Sequence, residues 1–325
     1  MAKFILGNRF RHKAAESRVI SRVFWAIDLV FVGAIVGIFR LLPVTWATGL
    51  GAWTGRLFGR IMKNRMRKVR ANLALALPDT PAPEIAQIAS DVWANGGAAM
   101  AEYPKLAQIS DPARDHLSIE ILEPVATYDD PSQPAVFVGA HMGNWEMMAA
   151  AVARLKIPSV GMYAPLANPW FDTLMRRYRA AMGTRLVSRD EGVRPFINAL
   201  KKGESAGMIA DRRIEGGQQV DFFGAPKETT ILPARLALRF GVPLVPVQVI
   251  RLPHTRFVVR FHPPLYARNP EDNHDSQATD LTRQINATFE DWIRERPGQW
   301  LCTSKIWPTA ILMAKTGVYI KSKKR

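Results

Sequence analysis

The chain has one cysteine in 325 residues, Cys302, which excludes a disulfide framework and a cysteine-rich zinc module. Its six histidines show no ligand-like pairing, so no metal is expected. It lacks a Walker lysine loop, a dinucleotide-binding glycine fingerprint and an RNP-type aromatic motif, and no nucleotide cofactor is expected either. Internal repeats at solenoid-like periods and low-complexity segments are absent. Negative charge is scarce: 44 lysines and arginines face 28 aspartates and glutamates, a net charge of +16. That imbalance implies an anionic partner, either nucleic acid or an anionic membrane surface. Without nucleic-acid motifs, and with the N-terminal segment described next, the membrane surface is favoured and no nucleic acid is expected.

Residues 1–22 form a basic arm containing Lys3, Arg9, Arg11, Lys13, Arg18 and Arg22. Residues 23–42 are predicted to be a membrane-anchoring helix, apolar from Val23 to Phe39 apart from Asp28. That run, interrupted only by Asp28, falls just short of the roughly 20 residues that a spanning helix needs. A helix dipping into one leaflet fits the two basic flanks as well as a true span, so attachment is expected and its depth stays open. A cleaved signal peptide fits less well, because no small-residue cleavage site follows and Arg40 and Pro43 intrude. From Pro43 to Gly59, small and apolar residues at helical spacing predict a second helix, packed on the first or on lipid. Arg60, Lys63, Arg65, Arg67, Lys68 and Arg70 follow. Such a run is either a solvated face or, beside an anchor, worth about 1 kcal/mol per residue near anionic lipid.

The hydrophobic share of 48% is that of a folded protein, and the length admits a sizeable core. Short apolar runs alternating with helices after residue 130 argue for α/β architecture. The expected organisation is a helical, membrane-facing part at 43–130, an α/β core at 131–300, and an interfacial basic tail at 301–325.

The core is organised around PAVFVGAHMGNWEMM at 134–148. Ala135 to Val138 reads as a buried strand, and the stretch from Asn144 onward as a helix start. Between them stand His141 and Glu146. Five residues apart on one helix they would not meet, but a turn through Gly139 and Gly143 brings them within reach. A carboxylate on one imidazole nitrogen leaves the other free to take a hydroxyl proton. The first N–H groups of the helix would then face an oxyanion. The competing reading is a surface pair or a satisfied buried polar group; the strand-to-helix turn, where open α/β sheets place ligands, favours the dyad. Further along, a strand at 207–210 ends in Asp211-Arg212-Arg213, which the topology of such sheets places on the rim that carries His141.

The string from Gly139 to Glu146, GAHMGNWE, resembles the His-x4-Asp/Glu motif of glycerolipid acyltransferases, in the form found in the late acyltransferases of lipid A biosynthesis. The resemblance runs from about residue 25 to residue 300. It implies a single glycerolipid-acyltransferase-like domain with a mostly parallel central sheet flanked by helices. It also implies catalysis by His141 and Glu146, acyl carrier protein as donor, a lipid A precursor as acceptor, and the cytoplasmic face of a bacterial inner membrane. Gly143 and Asn144 lie within the motif. Arg179, four residues before Gly183, matches an arginine that binds acceptor or supports the dyad. Asp211 matches a family aspartate, whereas Arg212 stands where another polar residue is usual. Phe222-Phe223-Gly224 resembles an aromatic-glycine loop that would wall an acyl chain. These are the expected substrate-binding residues, with Arg176, Arg177 and Arg213 as further candidates for acceptor phosphates. The family's closing His and Arg are missing after Gln299-Trp300, which keeps other glycolipid, lysophospholipid or ornithine-lipid acceptors in view. A non-catalytic membrane-associated protein of the same fold is the alternative from another class.

Overall fold

The structure, a computed structural model, describes residues 18–318. Four helices come first: α1 (Arg18–Leu41), α2 (Val44–Ile61), α3 (Lys63–Ala76) and α4 (Ala82–Glu102). Pro43 and Pro81 stand immediately before α2 and α4, where a missing N–H costs nothing. Then follow β1 (Leu117–Ile121), β2 (Val136–Gly139), α5 (Glu146–Arg154), β3 (Ser159–Tyr163), α6 (Pro169–Ala180), β4 (Arg185–Ser188), α7 (Arg194–Lys201) and β5 (Ser205–Ile209). A hairpin of β6 (Gln218–Phe222) and β7 (Ala225–Thr229) precedes α8 (Leu232–Phe240), β8 (Leu244–Leu252), β9 (Arg256–Phe261), α9 (His274–Glu295) and α10 (Thr309–Thr316). Shorter single turns complete the described residues.

Seven strands form one sheet in the order β1-β9-β8-β2-β5-β3-β4. Every neighbouring pair is parallel except β8 with β9. This is the expected mostly parallel α/β architecture. β2 lies inside the sheet between β8 and β5, and all four of its residues are buried. Its side chains alternate between two apolar layers. Val136 and Val138 face the layer that holds Leu281, Ile285 and Phe289 of α9. Phe137 faces the layer that holds Met147 and Ala151 of α5. A strand buried on both faces has to be continuously apolar, and AVFV is.

The second predicted helix is α2, and its small residues decide what it packs on. Gly51, Gly55 and Gly59 form one buried stripe against α4. A Cβ at Gly55 would sit 2.2 Å from the Trp93 carbonyl oxygen, so no larger residue fits there.

The C-terminal segment departs from the expected interfacial tail. Trp300, Cys302, Ile306, Trp307 and Leu312 are all fully buried. Asn72 of α3 donates from Nδ2 to the carbonyl oxygens of Cys302 and Ser304, at 2.8 Å each. The segment closes the core beside the hairpin, where the Trp307 and Phe222 rings stack at 5.6 Å. Residues 319–325, and 1–17 of the basic arm, lie outside the described residues.

Candidate active site

Sheet register brings the first two site residues together. β2 and β5 are parallel neighbours with Gly139 opposite Ile209. His141 and Asp211 each lie two residues beyond that pair, at the carboxyl ends of their strands. His141 Nδ1 and Asp211 Oδ1 are 2.6 Å apart. Asp211 is fully buried, and its other oxygen accepts from Trp300 Nε1 at 2.9 Å. Burial pushes its carboxyl up, but the charge and hydrogen bond of His141, the charge of Arg212 and the Trp300 hydrogen bond outweigh it. The group is held well below the usual carboxylate range and stays ionised at working pH. An ionised carboxylate only accepts, so His141 carries its hydrogen on Nδ1 and leaves the Nε2 lone pair available. No hydrogen bond to Nε2 occurs among the described residues, and the His141 side chain is 15% exposed.

The loop carrying His141 is fixed at several points. Leu301 N–H donates to the His141 carbonyl at 2.8 Å, and Gly143 N–H to the Gln299 carbonyl at 3.1 Å. Gly143 has φ +55°, and a Cβ there would meet the Val249 carbonyl oxygen at 2.9 Å. Glycine is required on both counts.

Glu146 is not the partner of His141; this corrects the expected dyad geometry. Its carboxylate accepts from Arg179 Nε at 3.0 Å on each oxygen, from Arg179 Nη2 at 2.7 Å, from the Tyr103 hydroxyl at 2.6 Å and from Trp145 Nε1 at 3.0 Å. As the first residue of α5 it points toward Arg179 on α6 and Tyr103 in the turn that follows α4, while His141 leans toward the end of β5. Burial, then the charge of Glu146, push the Tyr103 phenol well above its usual value, so it stays a neutral donor. Burial works against the Arg179 guanidinium, but Glu146 and Tyr103 more than restore its affinity for a proton. The N–H groups expected to be free are taken as well. Glu146 N–H donates to Asn144 Oδ1 at 3.2 Å, Met147 N–H to the Asn144 carbonyl at 2.9 Å, and Met148 N–H to the Trp145 carbonyl at 3.2 Å.

Behind the loop lies a buried network that the sequence reading missed. Arg251, on β8, donates to both oxygens of Glu102 and, through Nε, to Asn95 Oδ1 at 2.7 Å. Asn95 Nδ2 donates to the carbonyls of Gly143 and Gln299, at 2.9 Å each. Asn144 Nδ2 donates to Glu102 Oε2 at 2.8 Å. A signal was present: Asn95 and Glu102 are seven apart, hence on one helix face, in the otherwise small and apolar stretch ANGGAAMAE.

The remaining candidates fall into distinct positions. Gly143 and Asn144 are buried and brace the turn. Phe222 is fully buried among Trp300 and Trp307, while Phe223 is only partly buried at the hairpin tip. Arg176 pairs with Asp172 at 3.1 Å, and Arg213 pairs with Glu228. Arg212 is exposed and has no hydrogen bond or ion pair among the described residues. Beneath Asp211 lies Lys227, fully buried, with Nζ 3.0 Å from the Asp211 carbonyl oxygen and 3.9 Å from the Phe222 ring centre. Burial brings its ammonium down to about 8 against the opposing charges of Asp211 and Glu290. Among the described residues, no three His, Cys, Asp or Glu side chains group to hold a metal ion.

Comparison with known proteins adds to this geometry. The family model described as bacterial lipid A biosynthesis acyltransferase matches residues 14–309. The chain is 27% identical over 285 residues to the lipid A biosynthesis myristoyltransferase of Escherichia coli (strain K12), covering 86% of this chain and 85% of that one. It is 25% identical over 304 residues to lipid A biosynthesis acyltransferase 2 of Shigella flexneri, covering 90% and 93%. It is also 25% identical over 287 residues to the phosphatidylinositol mannoside acyltransferase of Mycolicibacterium smegmatis, covering 82% and 87%.

Proposed function

Because the chain belongs to the bacterial lipid A biosynthesis acyltransferases, we propose that it transfers a fatty acyl group to a hydroxyl of a lipid A precursor. The donor in this reading is an acyl carrier protein thioester, and the place is the cytoplasmic face of a bacterial inner membrane. The observation that carries it is the 2.6 Å contact between His141 Nδ1 and Asp211 Oδ1 at the carboxyl edge of the sheet.

The acceptor hydroxyl gives its proton to His141 Nε2 as its oxygen attacks the thioester carbonyl carbon. Ionised Asp211 stabilises the imidazolium that forms and keeps the ring oriented. Collapse of the tetrahedral intermediate breaks the C–S bond, and the imidazolium returns the proton to the leaving sulfur. No acyl-enzyme is needed. Glu146 acts one layer out, holding Arg179 and Tyr103 beside the loop. Arg212 offers a free guanidinium for an acceptor phosphate, and Phe223 a partly open ring for the acyl chain.

Transfer from acyl carrier protein thioesters of different lengths to a lipid A precursor, followed in vitro, tests the reading. His141→Ala is expected to lower the rate by about 10² to 10⁴-fold, the range of general-base catalysis. Unchanged product formation, or an unchanged lipid profile in cells carrying the variant, refutes it in favour of a non-catalytic membrane protein. The similarity to a phosphatidylinositol mannoside acyltransferase supports a second acceptor class, another glycolipid. Mass spectrometry of lipids from cells with and without the gene separates the two.

A further inference from the structure

The two faces of α2 have opposite chemistry. One is the glycine stripe locked to α4. The other carries Trp46, Leu50, Trp53, Leu57 and Ile61, at spacings of four, three, four and four that align them along the helix. These side chains are exposed: Trp46 by 70%, Trp53 by 61% and Ile61 by 65%. So large an apolar stripe calls for an occupant.

Two observations identify it. Only Leu42 and Pro43 separate α2 from α1, whose Val19–Leu41 stretch has mean hydropathy 2.1, is long and apolar enough to cross a membrane, and is largely unburied. Between Pro43 and Pro78 there are seven lysines and arginines and no acidic residue, and one of the seven, Arg56, is paired with Asp91 of α4 at 3.1 Å. A second copy laid on this face would bring the same positive charge to the contact, whereas anionic headgroups would neutralise it. The helix is 18 residues long, about 27 Å. Its inner face is welded to the folded domain, so it has no second lipid-facing side with which to cross.

The geometry points to α2 lying flat in an anionic bilayer leaflet, with Trp46, Leu50, Trp53, Leu57 and Ile61 immersed below the headgroups. α4, on which α2 is packed, also supplies Asn95, which holds the Gly143 carbonyl. The membrane plane and the His141 loop are thereby joined through two rigid contacts. This placement stands whether or not acyl transfer is the reaction, because no part of it uses His141.

Spin labelling of the full chain in nanodiscs tests it. Cys302 is fully buried, so nitroxides at Trp46→Cys, Trp53→Cys and Ile61→Cys report on α2 alone. Collision with oxygen against a water-soluble nickel chelate gives depth, and an unchanged unfolding midpoint certifies each variant. In phosphatidylcholine containing phosphatidylglycerol, the three labels are expected at one common depth, about 5 to 10 Å below the headgroup boundary. Omitting phosphatidylglycerol is expected to lift all three toward water. Full access to the chelate overturns the proposal, and so does a depth that increases steadily from 46 to 61, which would mean a second span. Dipolar broadening between copies overturns it as well, by making the occupant a second chain. Immersion insensitive to phosphatidylglycerol overturns the anionic requirement.

Discussion

Asp211 and Glu146 flank the same histidine loop and are held in opposite ways. Asp211 receives two neutral-shaped N–H donors, from His141 and Trp300, and leaves its charge to act on the imidazole. Glu146 gives its charge to Arg179, and its remaining acceptor capacity is taken up by Tyr103 and Trp145. A carboxylate loaded in that way has little left to offer a histidine. Nearness in sequence did not decide which acid serves as orienter. The register of β2 against β5 did, by bringing positions 70 apart to one hydrogen bond.

The sharpest test of the contrast is Asp211→Asn. Asparagine keeps the shape but loses the charge, and can present its NH₂ to Nδ1 and so reverse the tautomer. We expect kcat to fall by about 10² to 10⁴-fold with KM near that of the parent; activity close to the parent's would remove Asp211 from the mechanism. Glu146→Gln is expected to act first on stability. It leaves Arg179, whose side chain is 17% exposed, without its counter-ion, at a cost of about 3 kcal/mol in denaturant unfolding. Adding Arg179→Met should recover most of that loss, as in a double-mutant cycle. If stability returns and transfer does not, the Glu146–Arg179 pair acts in the chemistry and the contrast breaks.

Much of this architecture is legible in the chain itself. AVFV announces a doubly buried strand, and GAHMGNWE the turn and helix start that follow it. Asp211 falls on the correct rim because an apolar strand precedes it. The pairing of that acid with His141 was out of reach, since strand order and register depend on contacts across the whole sheet. The edge strands β1 and β4 escaped for a local reason: LSIEI and RLVS are short, mixed with charge, and buried at few positions. The C-terminal segment misled by composition. From Ile311 to Arg325 it reads as apolar and then basic, as an interfacial tail does, yet Leu312 is fully buried and Asn72 and the Phe222 ring hold the stretch before it in the core.

Lys227 extends the contrast beneath Asp211. Folded, its ammonium holds a proton less tightly than in the unfolded chain, about 8 against the ordinary 10.5. The cost of burying that charge is therefore full below the folded value and is relieved as pH rises through it. Relative to Lys227→Met, the parent should gain about 2 kcal/mol of stability between about pH 7 and about pH 9.5. A stability difference that stays flat with pH would mean that Lys227 is not buried as a cation.

Arg212 and Arg179 repeat the contrast among cations, with the smallest expected effect. Arg179 is spent on Glu146, whereas Arg212 is exposed and unpaired among the described residues. Removing an exposed, unpaired side chain should leave stability within about 0.5 kcal/mol of the parent. If Arg212 meets an acceptor phosphate, Arg212→Ala should raise KM for the acceptor about tenfold, roughly 1.4 kcal/mol, with kcat little changed. Arg212→Lys keeps the charge but loses the planar fork, so it should recover only part of that affinity. The interaction is made in solvent, so the gap between parent and Arg212→Ala should narrow as salt is added. A gap indifferent to salt, or one in kcat instead of KM, would put Arg212 to work on Asp211 and His141 and leave the phosphate to another cation.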